Sequence, residues 1–392
     1  MANIKHSDMH SYNRTAVLNM IRQDCGISRA DIAKRTDLSV PSISALVNSL
    51  IQDGLIAEVG VGESQGGRKP IMLRFEADAR LIIAIDIRPE HATGMVCNLD
   101  ALPVKTLKTA YPESLPIEEK LTLASDIVQA LIDSVADQHK IIGIGIAVVG
   151  LIDCKNRIIR YSAPLNCRNV HLDRFFGKFQ AYPIHVNNIS RCESLAEKWF
   201  GRGKNISDFI FIYAGIGIGA GMISGGRINN RSQYSAMEIG HNTVHAHGEQ
   251  CRCGRKGCLE AYSALWSIKK QYAGATGNDN LSDDDVLDAI RKREPLMRPI
   301  LERALYYLGL EIANLTNIFN PETVIIDGWL HSLEASDIEY LTDIVKHRAL
   351  EGLTDRFSIM LSSFKNKGAI VGAATMPLES FLQPLDKELF DA

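Results

Sequence analysis

Three thiols, Cys251, Cys253 and Cys258, fall within eight positions, and an imidazole, His241, precedes them by ten residues. Three thiolates and one neutral imidazole complete the four ligands of a tetrahedral structural zinc site and leave no open position for hydrolytic chemistry. Gly254 and Gly257 let the loop bend enough for the sulfurs to converge, while Arg252, Arg255 and Lys256 offset thiolate charge. A reactive thiol loop, or a disulfide between two of the three cysteines, is the alternative. Neither gives His241 or the two glycines a role. His245 and His247 are competing imidazoles that read as surface residues. The expectation is about one structural Zn2+ per chain, bound by His241, Cys251, Cys253 and Cys258.

A second set of residues lies near the N-terminus and suits nucleic acid. Val17, Leu18 and Ile21 give a first helical stripe. Ser28 is placed to cap a second helix, with Asp31 completing a capping box and Ile32 and Ala33 facing inward. Ser39 caps a third, with Pro41 in its first turn. There Val40, Ile43, Leu46, Val47 and Leu50 form the expected buried face, and Ser42, Ser44, Ala45 and Asn48 the outward one. A short, uncharged outer face admits a helix into the major groove, where serine and asparagine reach base edges. Arg29, Lys34 and Arg35 on the preceding helix flank it.

Gly54 ends the third helix, and Leu55–Val59 and Ile71–Phe75 read as paired strands. Between them the tip Gly66-Gly67-Arg68-Lys69-Pro70 forms a wing able to place a cation in a minor groove. The DNA-contacting set is therefore Arg35, Ser39, Ser42, Ser44, Asn48, Arg68 and Lys69. The competing reading is a protein-binding three-helix unit with a solvated basic loop. Nine Lys and Arg against seven Asp and Glu through Arg74 leave this region weakly basic, but the attached wing favours DNA.

These residues need a scaffold, and the composition supplies a globular one. Of 392 residues, 46% are hydrophobic and 23% charged, and the net charge is −3. Disordered, collagenous and whole-chain polyanion-binding classes are thereby excluded. Neither a membrane-length apolar run nor a secretory h-region is found, which leads us to expect a cytoplasmic protein with no membrane insertion. Cys25, Cys97, Cys154, Cys167 and Cys192 are scattered as small buried residues would be. From Leu81 onward buried strands alternate with helices: Leu81–Ile87, a helix through Leu121 to Val135, Ile141–Val148, Phe209–Tyr213 running into Gly215, Gly217, Gly219 and Gly221, a helix from about Pro295 to Phe319, and Thr323–Asp327.

Nearly end to end, the chain resembles the ROK family, in particular its winged-helix repressors, typified by xylose repressors and by glucose- and N-acetylglucosamine-responsive regulators. The resemblance rests on Ile27-Ser28-Arg29, Gly66-Gly67-Arg68-Lys69-Pro70, Ile142-Gly143-Ile144-Gly145-Ile146, Gly150-Leu151-Ile152-Asp153 and Glu238-Ile239-Gly240-His241. It continues through Cys251-Arg252-Cys253-Gly254, Gly257-Cys258-Leu259-Glu260, Ile312-Ala313-Asn314-Leu315 and Phe319-Asn320-Pro321-Glu322. It implies an α/β architecture, a winged helix-turn-helix followed by a two-lobe, actin-like, ribonuclease-H-type body with a sugar cleft. The implied division is 1–76 for the head, 80–190 for a first lobe with a helix at about 370–392 packing back on it, and 191–369 for a second lobe carrying the zinc loop and an oligomer interface. In sugar-binding members the zinc-bound histidine also touches ligand. This implies a ligand set of Asn187, Glu238, His241 and Glu260.

The same resemblance argues against catalysis. A kinase of this family needs an Asp-x-Gly-Gly-Thr turn for phosphates and an Asp as general base. Here Asp86-Ile87-Arg88-Pro89-Glu90-His91 and Asn188 stand in those places, and a neutral amide is no base. Ile216 replaces the threonine of the glycine strand, and Asp327-Gly328-Trp329 replaces a glycine cluster. Around the ligand site, Arg231, Tyr234 and Met237 replace glycines, and Pro164 an asparagine. The sequence therefore predicts a non-enzymatic, homodimeric or homotetrameric repressor of carbohydrate genes that binds double-stranded operator DNA and responds to a sugar or sugar phosphate. The alternatives are control by a regulatory protein partner and, more remotely, an ATP-dependent sugar kinase.

Overall fold

The computed structural model describes residues 6–24, 26–61, 69–229 and 237–383. Cys25, Arg68, Arg231, Tyr234 and residues 384–392 lie outside the described residues.

The head begins with α1 (His6–Gln23), β1 (Ile27–Ser28), α2 (Arg29–Arg35) and α3 (Val40–Gln52), followed by β2 (Ile56–Val61) and β3 (Ile71–Phe75). Local chemistry sets its helix starts. The Ser28 hydroxyl accepts from the Asp31 N–H at 3.2 Å while the Asp31 carboxylate receives the Ser28 N–H at 3.3 Å, a reciprocal cap. Ser39 caps α3 through the Ser42 N–H at 3.3 Å, with Pro41 in the first turn. Ile43, Leu46, Val47 and Leu50 are buried at helical spacing. Val40 departs from expectation: it is 56% exposed, because the first helical residue projects away from the α2 contact. The two-residue strand β1, which no periodicity announces, joins the sheet by pairing Ile27 with Leu73 and Ser28 with Met72.

The body is a duplicated α/β unit. The first lobe contains β4 (Leu81–Ile87), β5 (His91–Asn98), β6 (Pro103–Ala110), α4 (Ile117–Asp133) and β7 (Ile141–Val148). A small antiparallel sheet follows, β8 (Leu151–Asp153), β9 (Ile158–Ser162) and β10 (Cys167–His171), and then α5 (Asp173–Phe176), β11 (Ile184–Asn188) and α6 (Ile189–Phe200). Its main sheet has the order β11-β7-β4-β5-β6.

The second lobe runs through β12 (Phe209–Ala214), β13 (Ile218–Ser224), β14 (Arg227–Ile228), α7 (Glu260–Ser263), α8 (Leu265–Thr276), α9 (Asp283–Arg291), α10 (Arg298–Phe319), β15 (Thr323–Gly328), α11 (Ala335–Arg348) and β16 (Ser358–Leu361). Its sheet, β14-β13-β12-β15-β16, repeats the first pattern: an antiparallel meander whose opening strand also takes a parallel partner, which takes another. Near-continuous runs such as Ile82–Ile87 and Val324–Asp327 are buried, as strands covered by helices on both faces must be.

The final helix, α12 (Gly368–Leu382), returns to the first sheet and packs on both β7 and α6. Two sequence-level bounds shift. Helix α10 starts at Arg298, since Pro295, Leu296 and Met297 form a turn before it, and α12 starts at Gly368 rather than about 370. Helix α6 spans residue 190, so the lobes meet at a helix rather than at a linker.

Candidate functional site

His241 closes a short 3-10 turn, Ile239–His241, that leaves the glycine strand β13 through a bridge between Ala220 and Met237. The cysteine loop folds back beside it, with Thr243 bridged to Cys258 and Gln250 to Lys256. Gly257, at φ +78°, makes this reversal possible. A Cβ there would sit 1.8 Å from the His245 carbonyl oxygen.

The ligand atoms of His241, Cys251, Cys253 and Cys258 all lie within 4.8 Å of one another. The Cys253 and Cys258 sulfurs are 3.7 Å apart, and the Cys251 sulfur is 4.0 Å from His241 Nδ1. A tetrahedron with metal–sulfur bonds of about 2.3 Å has edges of about 3.8 Å, so the donor set fits a four-coordinate metal. The thiols are all free, against a disulfide. Burial would raise the Cys253 thiol, but hydrogen bonds from the Arg255 backbone and side chain and from Cys251 and Cys258 bring it down to about 6. Arg252, expected to offset thiolate charge, instead stacks 4.6 Å over Trp266. His245 is exposed and bonded to the Tyr262 hydroxyl at 3.2 Å.

The Cys3His cluster borders residues of the expected ligand set. Glu260, at the start of α7, accepts the Ile218 N–H at 2.9 Å and thereby pins the glycine strand to the cysteine loop. Glu238 is exposed at the surface. Desolvation raises its carboxyl, His241 opposes the rise and Glu260 reinforces it. These three residues form one polar group. Asn187 is contributed separately, by the end of β11. It is buried, and its amide oxygen accepts the Asn188 N–H at 2.9 Å and faces the Cys154 sulfur at 3.5 Å. Pro164 is exposed in the β9–β10 turn.

The kinase positions are filled otherwise. Asn188, in place of a base, caps α6 through the Ser190 N–H at 2.8 Å and donates to the Gly150 carbonyl at 2.8 Å. Arg88, in place of the first glycine, donates from Nε to Asp86 at 2.8 Å. Its Nη2 lies 3.5 Å from Glu193 on α6, and its guanidinium lies over Tyr213 at 5.8 Å. This buried ionic group, which also includes Asp327 with His331 Nε2 3.2 Å from its carboxylate, has no local signature in the sequence. Its members are far apart in the chain, and the only available signal was a charged residue where glycine was expected.

On the head, Ser39, Ser42 and Asn48 are exposed and Ser44 is half-buried. Asn48 accepts from Arg29 at 3.2 Å, and Arg29 is held by Glu58 at 2.7 Å. Arg35 is paired with Asp24. The pair is solvent-exposed, so its energy is small enough for a phosphate to displace it. Lys69 is exposed at the base of the wing. No described helix is long and apolar enough to cross a membrane.

Residues 11–57 match winged helix-turn-helix DNA-binding domains, and residues 82–379 match the ROK family. The xylose repressor of Caldicellulosiruptor bescii is 28% identical over 390 residues, covering 96% of this chain and 98% of that protein. Among solved structures, a ROK family transcriptional regulator described as a homologue of the E. coli MLC protein superposes with a TM-score of 0.83 at 24% identity, covering 96% of this chain and 97% of the other. A ROK family glucokinase from Streptomyces griseus, solved with glucose and AMPPNP, superposes with a TM-score of 0.63 at 22% identity and covers 76% of this chain and 98% of its own. The two structural likenesses establish the fold. With the family match running from the first strand of the body almost to the end of its last helix, the chain belongs to the ROK family and carries a winged helix-turn-helix at its N-terminus.

Proposed function

We propose that the protein is a sugar-responsive, DNA-binding transcriptional repressor of carbohydrate genes that works in the cytoplasm as a homo-oligomer and has no kinase activity. One observation carries the reading. The chain joins a DNA-binding head to a body whose cleft keeps Glu238, His241 and Glu260 beside a Cys3His cluster, while Arg88 and Asn188 occupy the places of phosphate turn and base.

Carboxylates accept paired hydrogen bonds from adjacent sugar hydroxyls, and a metal on His241 Nδ1 would fix the outward nitrogen as the one that meets ligand. Zinc is the metal the donor set suits best, as a brace. The division into 1–76, 80–190 with the terminal helix, and 191–369 accompanies this reading, as do base contacts from Ser39, Ser42, Ser44 and Asn48 and phosphate contacts from Arg35, Arg68 and Lys69. Two heads related by two-fold symmetry would read a pseudo-palindromic site.

The test is selection of operator sequences from random DNA by the full, zinc-replete chain. Titration of the selected duplex follows, with and without D-xylose, D-glucose, N-acetyl-D-glucosamine and their phosphates. One sugar is expected to weaken binding about tenfold or more. Failure to enrich any sequence overturns DNA binding. Enrichment with a flat sugar panel and an unchanged melting temperature overturns the sugar effector and leaves a protein partner in its place.

A further inference from the structure

Helix α6 begins beside Asn187, a residue of the proposed ligand set, and ends against α1 of the head. Its cap, Asn188, follows Asn187, and eleven and twelve residues later, about 17–18 Å along the axis, come Trp199 and Phe200. The Arg22 guanidinium of α1 lies 4.8 Å from the Trp199 ring centre and 5.8 Å from that of Phe200. Arg22 Nε is buried and finds no hydrogen-bond partner among the described residues. The compensation for this desolvated cation is therefore the two aromatic faces, with Asp100 as the nearby countercharge. The same indole bears on the Glu379 carboxyl of α12, opposing the rise that burial imposes on it. A second thread runs from Asn19 of α1, whose side-chain amide donates to the Leu382 carbonyl at 2.7 Å, at the last residue of α12.

Along its length α6 is held at backbone contact on two sides. A Cβ on Gly221 of β13 would lie 2.1 Å from Ser194 Oγ and 2.9 Å from the Ser190 carbonyl. One on Gly372 of α12 would lie 1.6 Å from the Cys192 carbonyl. The helix therefore cannot slide independently of the glycine strand, and that strand is the one Glu260 grips through the Ile218 N–H. Close-packed elements of this kind shift as bodies rather than deform.

We propose that α6 is the rod that carries the state of the cleft to the head, and that Arg22 and Trp199 are the positioning residues of its joint. The direction of the signal rests on the effector reading above; the mechanical coupling does not. A shift of β13 on ligand binding would tilt α6 and draw α1 with it through the Arg22–Trp199 stack. Four groups then act in series: Glu260, the Ser190–Ser194 face, Trp199 and Arg22.

The test is amide hydrogen exchange by mass spectrometry on the full, metal-loaded chain, without DNA or sugar. The variants are Arg22→Ala, Arg22→Lys, Trp199→Ala and Trp199→Phe, with Arg14→Ala as a control, since Arg14 pairs with Asp53 inside the head. Arg22→Ala and Trp199→Ala are expected to speed exchange about threefold or more both in α1 and, at the far end, in residues 189–195 and 218–224. Arg22→Lys and Trp199→Phe should restore most of the protection, and Arg14→Ala should affect the head alone. Changes confined to one side of the joint, or equal effects of the alanine and conservative variants, overturn the relay. Should Trp199→Ala exchange uniformly fast through global unfolding, Arg22→Ala, which removes only the cation, decides the matter. A relay that passes while no sugar binds would leave the coupling intact and remove the effector.

Discussion

The Arg88 guanidinium, just past the end of β4, lies between two carboxylates: Asp86, 2.8 Å from its Nε, and Glu193 of α6, 3.5 Å from its Nη2. One cation thus ties the first sheet to the helix where the lobes meet, at the strand end where the kinases this chain resembles hold phosphates. Burial works against the charge on Arg88, but Asp86, Tyr213 and Glu193 more than offset it, so the guanidinium stays charged. On the proposed non-catalytic reading, a strand end that holds its own cation and lacks glycine N–H groups would not cradle a triphosphate. Arg88→Ala should therefore destabilise the chain by about 3–5 kcal/mol, because it strands the buried Asp86 carboxylate, without conferring turnover. Urea unfolding measures the first effect and a coupled ATP assay with hexoses the second. Turnover by the parent chain would refute the non-catalytic reading.

Glu193 makes a separate prediction. Both its oxygens are buried without a hydrogen-bond partner among the described residues. Burial raises its carboxyl well above the ordinary range, Arg88 opposing and Asp327 and Asp86 reinforcing. A raised pKa means that the folded chain holds this proton more tightly than the unfolded one does. The resulting stability is complete below the unfolded value of about 4.3 and is lost as pH rises through the folded value. Glu193→Gln keeps the shape and removes the titration. Urea midpoints of the two proteins should converge near pH 4.5, and the variant should gain on the parent as pH rises. Parallel profiles would show that Glu193 keeps one protonation state.

The metal cluster predicts about one zinc per chain by elemental analysis of protein purified without chelator. Cys258 is fully buried and Cys253 exposed. Cys258→Ser should therefore abolish metal retention and lower the melting temperature by several degrees, whereas Cys253→Ser should weaken retention with a smaller loss of stability. A parent protein without metal would remove the site.

On the head, Asn48 is exposed but oriented by Arg29, itself anchored on Glu58. Asn48→Ala should cost about 1–3 kcal/mol of binding and relax preference at one base position. Ser42→Glu, which sets a carboxylate on the groove face, should weaken all sequences alike. Both are measured by anisotropy on the selected duplex and its single-base variants. Equal losses at every position for Asn48→Ala would move that residue from base to backbone contact.

What the sequence disclosed depended on how local the determinant was. The Ser28 and Ser39 caps, strands β4 and β7, and the convergence of four metal-ligating side chains from an eighteen-residue stretch are written in neighbouring residues. Strand β1 was missed because two residues have no period, and only pairing with β3 makes them a strand. Val40 is exposed because a helix stripe extended by one residue reaches solvent at the first turn. Asn188 stands where the resemblance places a base, and its place two residues before Ser190 is also the local signature of the helix cap it forms. The ionic group around Arg88 and the joint at Arg22 combine residues that only the tertiary fold brings together, and no window of the chain contains them.

The α6–α12 contact supplies the last prediction. At Gly372 the clash facing a new Cβ is entirely backbone: the Cys192 carbonyl oxygen at 1.6 Å, its carbon at 2.2 Å and its Cα at 2.7 Å. A side chain could rotate away, but a helix backbone cannot, so Gly372→Ala must push α12 off α6. That separation would open the packing along both helices and part Trp199 from Glu379 at their head-proximal end. Overpacking a rigid interior costs about 1–3 kcal/mol where side chains can yield, and more where they cannot. Gly372→Ala is therefore expected to lose at least about 3 kcal/mol in urea unfolding and to express largely insoluble. Gly274→Ala, within α8, is the matched control: no atom lies within 4 Å of its Cβ position. Only helix propensity then acts, and the change should be neutral or stabilising by up to about 1 kcal/mol. A well-folded Gly372→Ala protein of parental stability would show that α6 and α12 can part, and a rod free to part from its neighbour could not carry the cleft's state to the head.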